Sequence, residues 1–288
     1  MPAEQSKIAV VTGGSSGIGA ATARALVARG WHVIALGRTR ERLNRTLHEI
    51  RSEFPGARID GLLADFESIK QVERVAQEIA ALTSRVHVLV NNAGGICDQR
   101  RETSDGFESL FAGNHLGPFL LTRRLLPLLR VAQGARIVNV SSAAHKFVRD
   151  MQWDDLQLRR KFTTTTAYAQ SKLANVLFTR ELARRVSNER ITVNAMHPGL
   201  VSSNFERHGD RWTALLYKLA RPFSLTAEQG ADTVVWLATA PEMEGKTGGY
   251  YVKRHAARTS RAASNEISAR RLWDVSEKLI GAALASVR

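Results

Sequence analysis

Cysteine is almost missing from this sequence: among 288 residues there is one, Cys97. A single thiol closes no disulfide within the chain, and no group of Cys and His stands at metal-ligand spacing, so a disulfide scaffold and a structural zinc site are both excluded. That usage fits a reducing compartment, and a cytoplasmic location is expected. Long apolar runs are also missing. The best stretch, Phe119 to Val131, is interrupted by Arg123, Arg124 and Arg130 and falls short of the roughly 18 to 20 residues that cross a bilayer, so no membrane span is expected. The first strand should begin at Ile8, a few residues after Met1, which leaves no room for a charged segment followed by an apolar secretory stretch. Linkers rich in Pro, Gly or Ser, internal repeats and low-complexity tracts are lacking, so one domain is expected over 1–288.

Acidic residues are in the minority: 41 Lys and Arg face 27 Asp and Glu, a formal charge of +14. Such an excess can mark a nucleic-acid surface. Here the arginines are spread over all the expected helices instead of forming a patch with interleaved aromatics, so they read as solvated faces and no nucleic-acid partner is expected. With 44% hydrophobic and 24% charged residues, a disordered or fibrous chain is excluded.

What is present is an alternation. Apolar, β-branched runs alternate with stretches of helical period along nearly the whole chain, the pattern of a parallel sheet covered by helices on both faces. Seven strands are expected: Ile8 to Val11, His32 to Leu36, Ala57 to Ala64, Val86 to Val90, Arg136 to Val140, Ile191 to Ala195 and Tyr250 to Val252. Two connections, 143–167 and 200–226, are longer than a crossover needs. Both follow strand C-terminal ends, where open α/β sheets bind ligands. Phe147, Met151 and Trp153 in the first, with Trp212, Leu215, Leu216, Tyr217 and Phe223 in the second, are therefore either walls of a substrate pocket or packing beneath the loops.

The first strand runs directly into Thr12-Gly13-Gly14-Ser15-Ser16-Gly17-Ile18-Gly19, and a helical pattern follows. Glycines at 13, 17 and 19 allow a tight strand-to-helix turn and close backbone approach to a pyrophosphate. The helix N-terminus then presents free N–H groups and a positive dipole end to the anion. Dinucleotide binding is the expected function of this turn. Its GxxxGxG spacing resembles the cofactor fingerprint of the short-chain dehydrogenase/reductase family, and further matches carry the resemblance over nearly the whole chain. The expected fold is thus α/β, a single Rossmann-type doubly wound domain with about seven parallel strands.

The end of the second strand selects the cofactor. Leu36-Gly37-Arg38-Thr39-Arg40 offers no carboxylate for the adenosine ribose hydroxyls, whereas the Arg38 guanidinium, with Arg40 and Arg42 nearby, suits bidentate contact with a 2'-phosphate, so NADP(H) is expected. Asp65, after the third strand, resembles the family residue that meets the adenine ring. Asn91-Asn92-Ala93-Gly94 closes the fourth strand; its small residues let backbone approach the adenosine side, and its amides can tie neighbouring strands together.

Tyr168 and Lys172 lie four apart at the start of a helix expected over Ala167 to Val186, which puts them on one face. A phenol with a pKa of about 10 carries protons poorly at neutral pH, and a nearby cation favours its phenolate. Lys172 can also hold the nicotinamide ribose. The fifth strand ends in Ser141-Ser142, and one hydroxyl there can donate to the substrate oxygen where negative charge grows. The resemblance assigns this to Ser142 and leaves Ser141 a structural role. In the family the serine usually stands about half as far before the tyrosine as the 26 positions found here, the difference being the first long loop.

Asn114 sits in the helix before strand five, with Pro118 four positions on, where a local kink is expected. The resemblance implies that Asn114 links Lys172 to solvent through a water and completes a catalytic set of Asn114, Ser142, Tyr168 and Lys172. After strand six, Pro198 and Gly199 form a turn that lets backbone approach the nicotinamide, and Ser203 stands where the family usually has a threonine. His197 reads as structural. Arg136 to His145, Tyr168 to Arg184 and Arg271 to Leu279 resemble the retinol dehydrogenase-like branch, itself similar to protochlorophyllide reductases.

The resemblance implies hydride transfer between NADP(H) and a carbonyl or a primary or secondary alcohol on a small hydrophobic substrate. Reduction of an activated C=C bond and a catalytically silent dinucleotide sensor are the alternatives. It also implies a homodimer or homotetramer paired through the long helices.

Overall fold

The computed structural model describes residues 6–200 and 224–285. Its first unit is β1 (Ile8–Thr12), α1 (Gly17–Val27) and β2 (His32–Gly37), followed by α2 (Arg40–Glu53), β3 (Ile59–Leu63), α3 (Ile69–Leu82) and β4 (Val88–Asn91). A short helical turn, Ser109–Phe111, and a π-helical turn, Ala112–Leu116, lead into α4 (Gly117–Val131). Then come β5 (Ala135–Val140), α5 (Thr164–Arg185), β6 (Ile191–His197), α6 (Ala227–Thr239), β7 (Tyr250–Val252), β8 (His255–Ala256) and α7 (Glu266–Ala285).

The strand order is β3-β2-β1-β4-β5-β6-β7-β8, parallel throughout except for β8, which turns back antiparallel on β7. The seven expected strands are all present; β8 is an addition, two residues long and exposed, too short for any periodicity to reveal. β3 starts two residues later than the apolar run suggests, and β4 also starts two residues later, so both are shorter than expected at their N-terminal ends.

Sheet strands buried on both faces become nearly continuous apolar runs. β2 is buried at every position, and β1 from Ala9 to Thr12. Alternate residues feed two cores. Val10, Ile34, Leu89 and Ile137 meet α3, α4 and α5 on one face, while Val11, Val33, Val90 and Val138 meet α1, α2 and α6 on the other. The order reverses between β1 and β4, where crossovers diverge to opposite sides and leave a crevice at the strand C-terminal ends. The glycine-rich turn, the end of β4 and the end of β5 all open onto that crevice.

Candidate active site

Gly13 and Gly17 adopt φ values of +67° and +52°, left-handed backbone that a side chain would strain. A Cβ on Gly13 would stand 2.8 Å from Asn92 Nδ2, and one on Gly19 would strike the carbonyl oxygen of Gly13, so the turn is packed closely on its sheet side. At Gly17 a Cβ would meet nothing within 4 Å. Ser16, the N-cap of α1, makes no capping hydrogen bond, so its side chain takes none of the first N–H donors of the helix. An open face with unclaimed donors fits a pyrophosphate.

Thr12, the first residue of the glycine-rich segment and the last of β1, also organises the next turn, a part its sequence context did not reveal. Its hydroxyl donates to Val90 O at 3.2 Å and accepts from the N–H groups of Asn92 and Ala93 at 2.9 and 2.8 Å; Asn92 Nδ2 donates to Thr12 O at 2.9 Å. Asn91 does tie strands: its Nδ2 donates to Asn139 Oδ1 at 2.8 Å and to Thr122 Oγ1 at 2.9 Å, and Asn139 Nδ2 donates to Thr179 Oγ1 at 2.8 Å. Asn91 and Asn139 are register partners, which is why their amides meet.

Just after β2, Arg38 is exposed and its Nη1 stands 3.7 Å from Glu67 Oε1. Glu67 also takes both its oxygens to Arg101 Nη2, at 3.1 and 3.3 Å. Asp65 accepts from the N–H of Glu67 at 3.0 Å. Arg101 and Glu67 were not singled out by sequence, because charged residues in loops carry no signal of their own.

α5 begins three residues before the expected Ala167, capped by Thr163, whose hydroxyl accepts from Thr166 N at 3.1 Å. Its flanks are buried almost throughout, so Lys172 is carried into the interior at 4% exposure. Burial lowers the Lys172 pKa to about 8. Lys172 Nζ donates to Val140 O at 3.3 Å and stands 5.5 Å from the centre of the Tyr168 ring, so the pair shares a face as its spacing requires. Ser141 Oγ donates to Lys172 O at 2.8 Å, the structural role expected of it.

Ser142 Oγ accepts from Ala144 N at 3.2 Å, which leaves its O–H as a donor. Asn114 lies in the π-helical turn, not in a regular helix interior; the expected irregularity thus takes the form of an inserted i→i+5 turn. Its Oδ1 accepts from Gly95 N at 2.8 Å, and its Nδ2 donates to Gly95 O and to Ser171 Oγ, both at 3.0 Å. Ser171 is the residue before Lys172, so Asn114 binds the turn after β4 to α5. Asn114 is thus tied to the helix that carries Tyr168 and Lys172, and Lys172 Nζ reaches the end of β5 two residues before Ser142.

Pro198 and Gly199 follow β6, Gly199 with φ of +87°. Ser203 and the aromatics of the second long loop lie outside the described residues. Burial, reinforced by the charges of His145, Lys146 and Lys172, lowers the His197 pKa to about 4, which makes it a poor base and agrees with a structural part.

Of the two readings left open for the first long loop, packing holds for two of its residues. Met151 and Trp153 pack into the helix-side core, and Phe147 is 71% exposed. The apolar group packed around Tyr168 is instead Cys97, Leu110, Leu158, Phe162 and Ala167. Gln170, buried on α5, holds the loop in place by accepting from Gln152 N at 2.8 Å and donating to Leu156 O at 3.2 Å.

The sequence model of the short chain dehydrogenase family matches residues 7–213. Retinol dehydrogenase 12 of Homo sapiens is 39% identical over 275 residues, covering 96% of this chain and 86% of its own. Among solved structures, an uncharacterized protein from Mycobacterium paratuberculosis has a TM-score of 0.77 at 32% identity, over 96% of this chain and 93% of that one. A variant actinorhodin polyketide ketoreductase with NADPH has a TM-score of 0.68 at 28% identity, over 87% and 96% of the two chains. The chain belongs to the short chain dehydrogenase family and, within it, to the retinol dehydrogenase-like branch.

Proposed function

We propose that this oxidoreductase uses NADP(H) to interconvert a carbonyl compound and its primary or secondary alcohol on a hydrophobic substrate, with cofactor binding and chemistry in one domain. What supports the reading is Lys172, buried on the same face of α5 as Tyr168, whose Nζ reaches Val140 O at the end of β5, two residues before Ser142. A nicotinamide dinucleotide comes with the family, and NADPH is named with one structural relative. Gly13, Ser15, Ser16, Gly17, Ile18 and Gly19 would hold its diphosphate, Asn92, Ala93, Gly94 and Asp65 its adenosine side, and Arg38 the 2'-phosphate. Lys172, Pro198, Gly199 and Ser203 would face the nicotinamide end. When bound, the nicotinamide supplies or accepts the hydride.

The remaining steps belong to side chains. In the reduction direction the Ser142 hydroxyl, with its oxygen already accepting from Ala144 N, donates to the carbonyl oxygen and stabilises the charge that grows there. Tyr168 gives its phenolic proton to that oxygen, and the Lys172 ammonium stabilises the phenolate left behind. Oxidation reverses these transfers. The apolar group around Tyr168 supports a hydrophobic substrate, and the name of the retinol dehydrogenase relatives points the same way. A homodimer or homotetramer is retained from the family resemblance.

The test is NADPH oxidation by the purified protein against retinal, aromatic aldehydes, ketones and activated alkenes. Tyr168→Phe should lower turnover of a reduced substrate by at least about 10²-fold while leaving NADPH binding intact. Full turnover in that variant removes the proton-transfer role, and reduction of alkenes alone replaces the carbonyl assignment.

A further inference from the structure

Three residues after Ser142 the chain buries an imidazole completely. His145 is 0% exposed, and both of its ring nitrogens are engaged. Its Nδ1–H donates to the carbonyl oxygen of Ser142 at 2.6 Å, and the same oxygen accepts from the His145 backbone N–H at 3.2 Å. On the other side Nε2 accepts from Ser260 N at 3.3 Å, a residue 115 positions downstream in the segment between β8 and α7. The ring also packs edge-on against Tyr250, centroids 5.0 Å apart. The two hydrogen bonds demand one tautomer, proton on Nδ1, and they agree on it.

An apolar side chain of similar size would fill this volume without desolvating two polar atoms, so the imidazole calls for a reason beyond packing. The surrounding chain supplies one. Ser142 stands at the root of the long connection to α5, where the end of a strand passes into 3-10 backbone and then loop. Its hydroxyl has to be held in place for charge stabilisation to be preorganised. Two donors from one residue hold its carbonyl, and Ser260 holds that residue.

We infer that His145 is a positioning residue: it fixes the Ser142 backbone, and through it the direction of the Ser142 hydroxyl, by bracing the strand-end turn against the 257–264 segment. This inference rests on the proposed role of Ser142 in carbonyl reduction. An asparagine amide can stand where Nδ1 stands, whereas glutamine reaches only toward the Nε2 position.

In turnover of an aldehyde identified by the substrate panel, His145→Leu and His145→Gln should lower kcat by about 10²-fold, the cost of a small misplacement, with the Kd for NADPH unchanged. His145→Asn should restore most of that loss. Adding His145→Leu to Ser142→Ala should cost nothing further, since the hydroxyl that His145 positions is then already gone. In the ligand-free protein at neutral pH, imidazole nitrogen NMR should report the Nδ1–H tautomer. Additive losses in the double variant, asparagine no better than leucine, or an Nε2–H tautomer would each overturn the inference. Turnover undiminished by Ser142→Ala alone would instead overturn the proposed chemistry on which it rests.

Discussion

The Lys172 ammonium stays charged at neutral pH although burial lowers its pKa from 10.5 to about 8. Below that value the charge is present both folded and unfolded, and folding bears the desolvation cost. From about pH 8 to 10.5 the folded chain has lost the proton that the unfolded chain keeps, so stability of the ligand-free protein should rise with pH by about 3 kcal/mol. Urea unfolding across that window checks it: Lys172→Met should lack the rise. Over the same window kcat/KM for reduction should fall, because the cation that stabilises the phenolate is lost from the free enzyme. Arg38 makes the second residue-scale test. At 3.7 Å its pairing with Glu67 is loose, which leaves the guanidinium able to turn to a phosphate. Arg38→Asp should lower the NADPH-to-NADH ratio of kcat/KM by about 10- to 10²-fold, as expected for hydrogen bonds to a charged group. An unchanged ratio moves the 2'-phosphate contact elsewhere.

Among elements, the π-helical turn of residues 112–116 carries Asn114 toward the crevice and the next residue, His115, into the opposite interior. There His115 Nε2 pairs with Ser276 Oγ of α7 at 2.8 Å, among the rings of Phe111, Phe119 and Phe178. Burial lowers its pKa from 6.5 to about 3. The unfolded chain takes up a proton below pH 6.5 and the folded chain does not, so stability is full above 6.5 and is lost as pH falls toward 3. His115→Phe should flatten the acid limb in denaturant titrations from pH 7 to 4.5; an identical slope would show that His115 does not govern it. The sequence announced some of this. Asn114 with Pro118 signalled a break in the helix, but not the i→i+5 register that a π turn takes. Strands and the Tyr168–Lys172 face were legible because each is a local period. Thr12, Arg101 and His145 were not, since their partners lie 34 to 115 positions away, and Met151 and Trp153 were indistinguishable from pocket walls until tertiary packing assigned them to the core. The start of α5 was missed because a run of threonines hides which one caps.

For the molecule as a whole, the sheet-and-helix sandwich is closed by α7, which lies against α5 and meets α4. Trp273 is its anchor, 4% exposed, with ring centroids 4.8 Å from Phe119 on α4 and 6.1 Å from Phe178 on α5. Arg185 and Arg123 stand 4.2 and 5.3 Å from the same indole, and Arg123 pairs with Glu277. The apolar flank shared by α4 and α5, two of the long helices, is thereby occupied by α7. Sedimentation should therefore find the stoichiometry of the protein unmoved by substitutions on the α4–α5 flank. Trp273 itself offers the sharper test of the seal. Its indole N–H is buried with no hydrogen-bond partner among the described residues, so the ring contributes by area and by its cation contacts. Trp273→Ala should therefore cost about 3 to 5 kcal/mol of stability, as large-to-small core changes do, whereas Trp273→Phe should cost about 1.5 or less, because it keeps an aromatic surface and removes the unpaired donor. Equal losses in the two variants would mean that the indole N–H has a partner and that α7 is held by that bond as much as by packing.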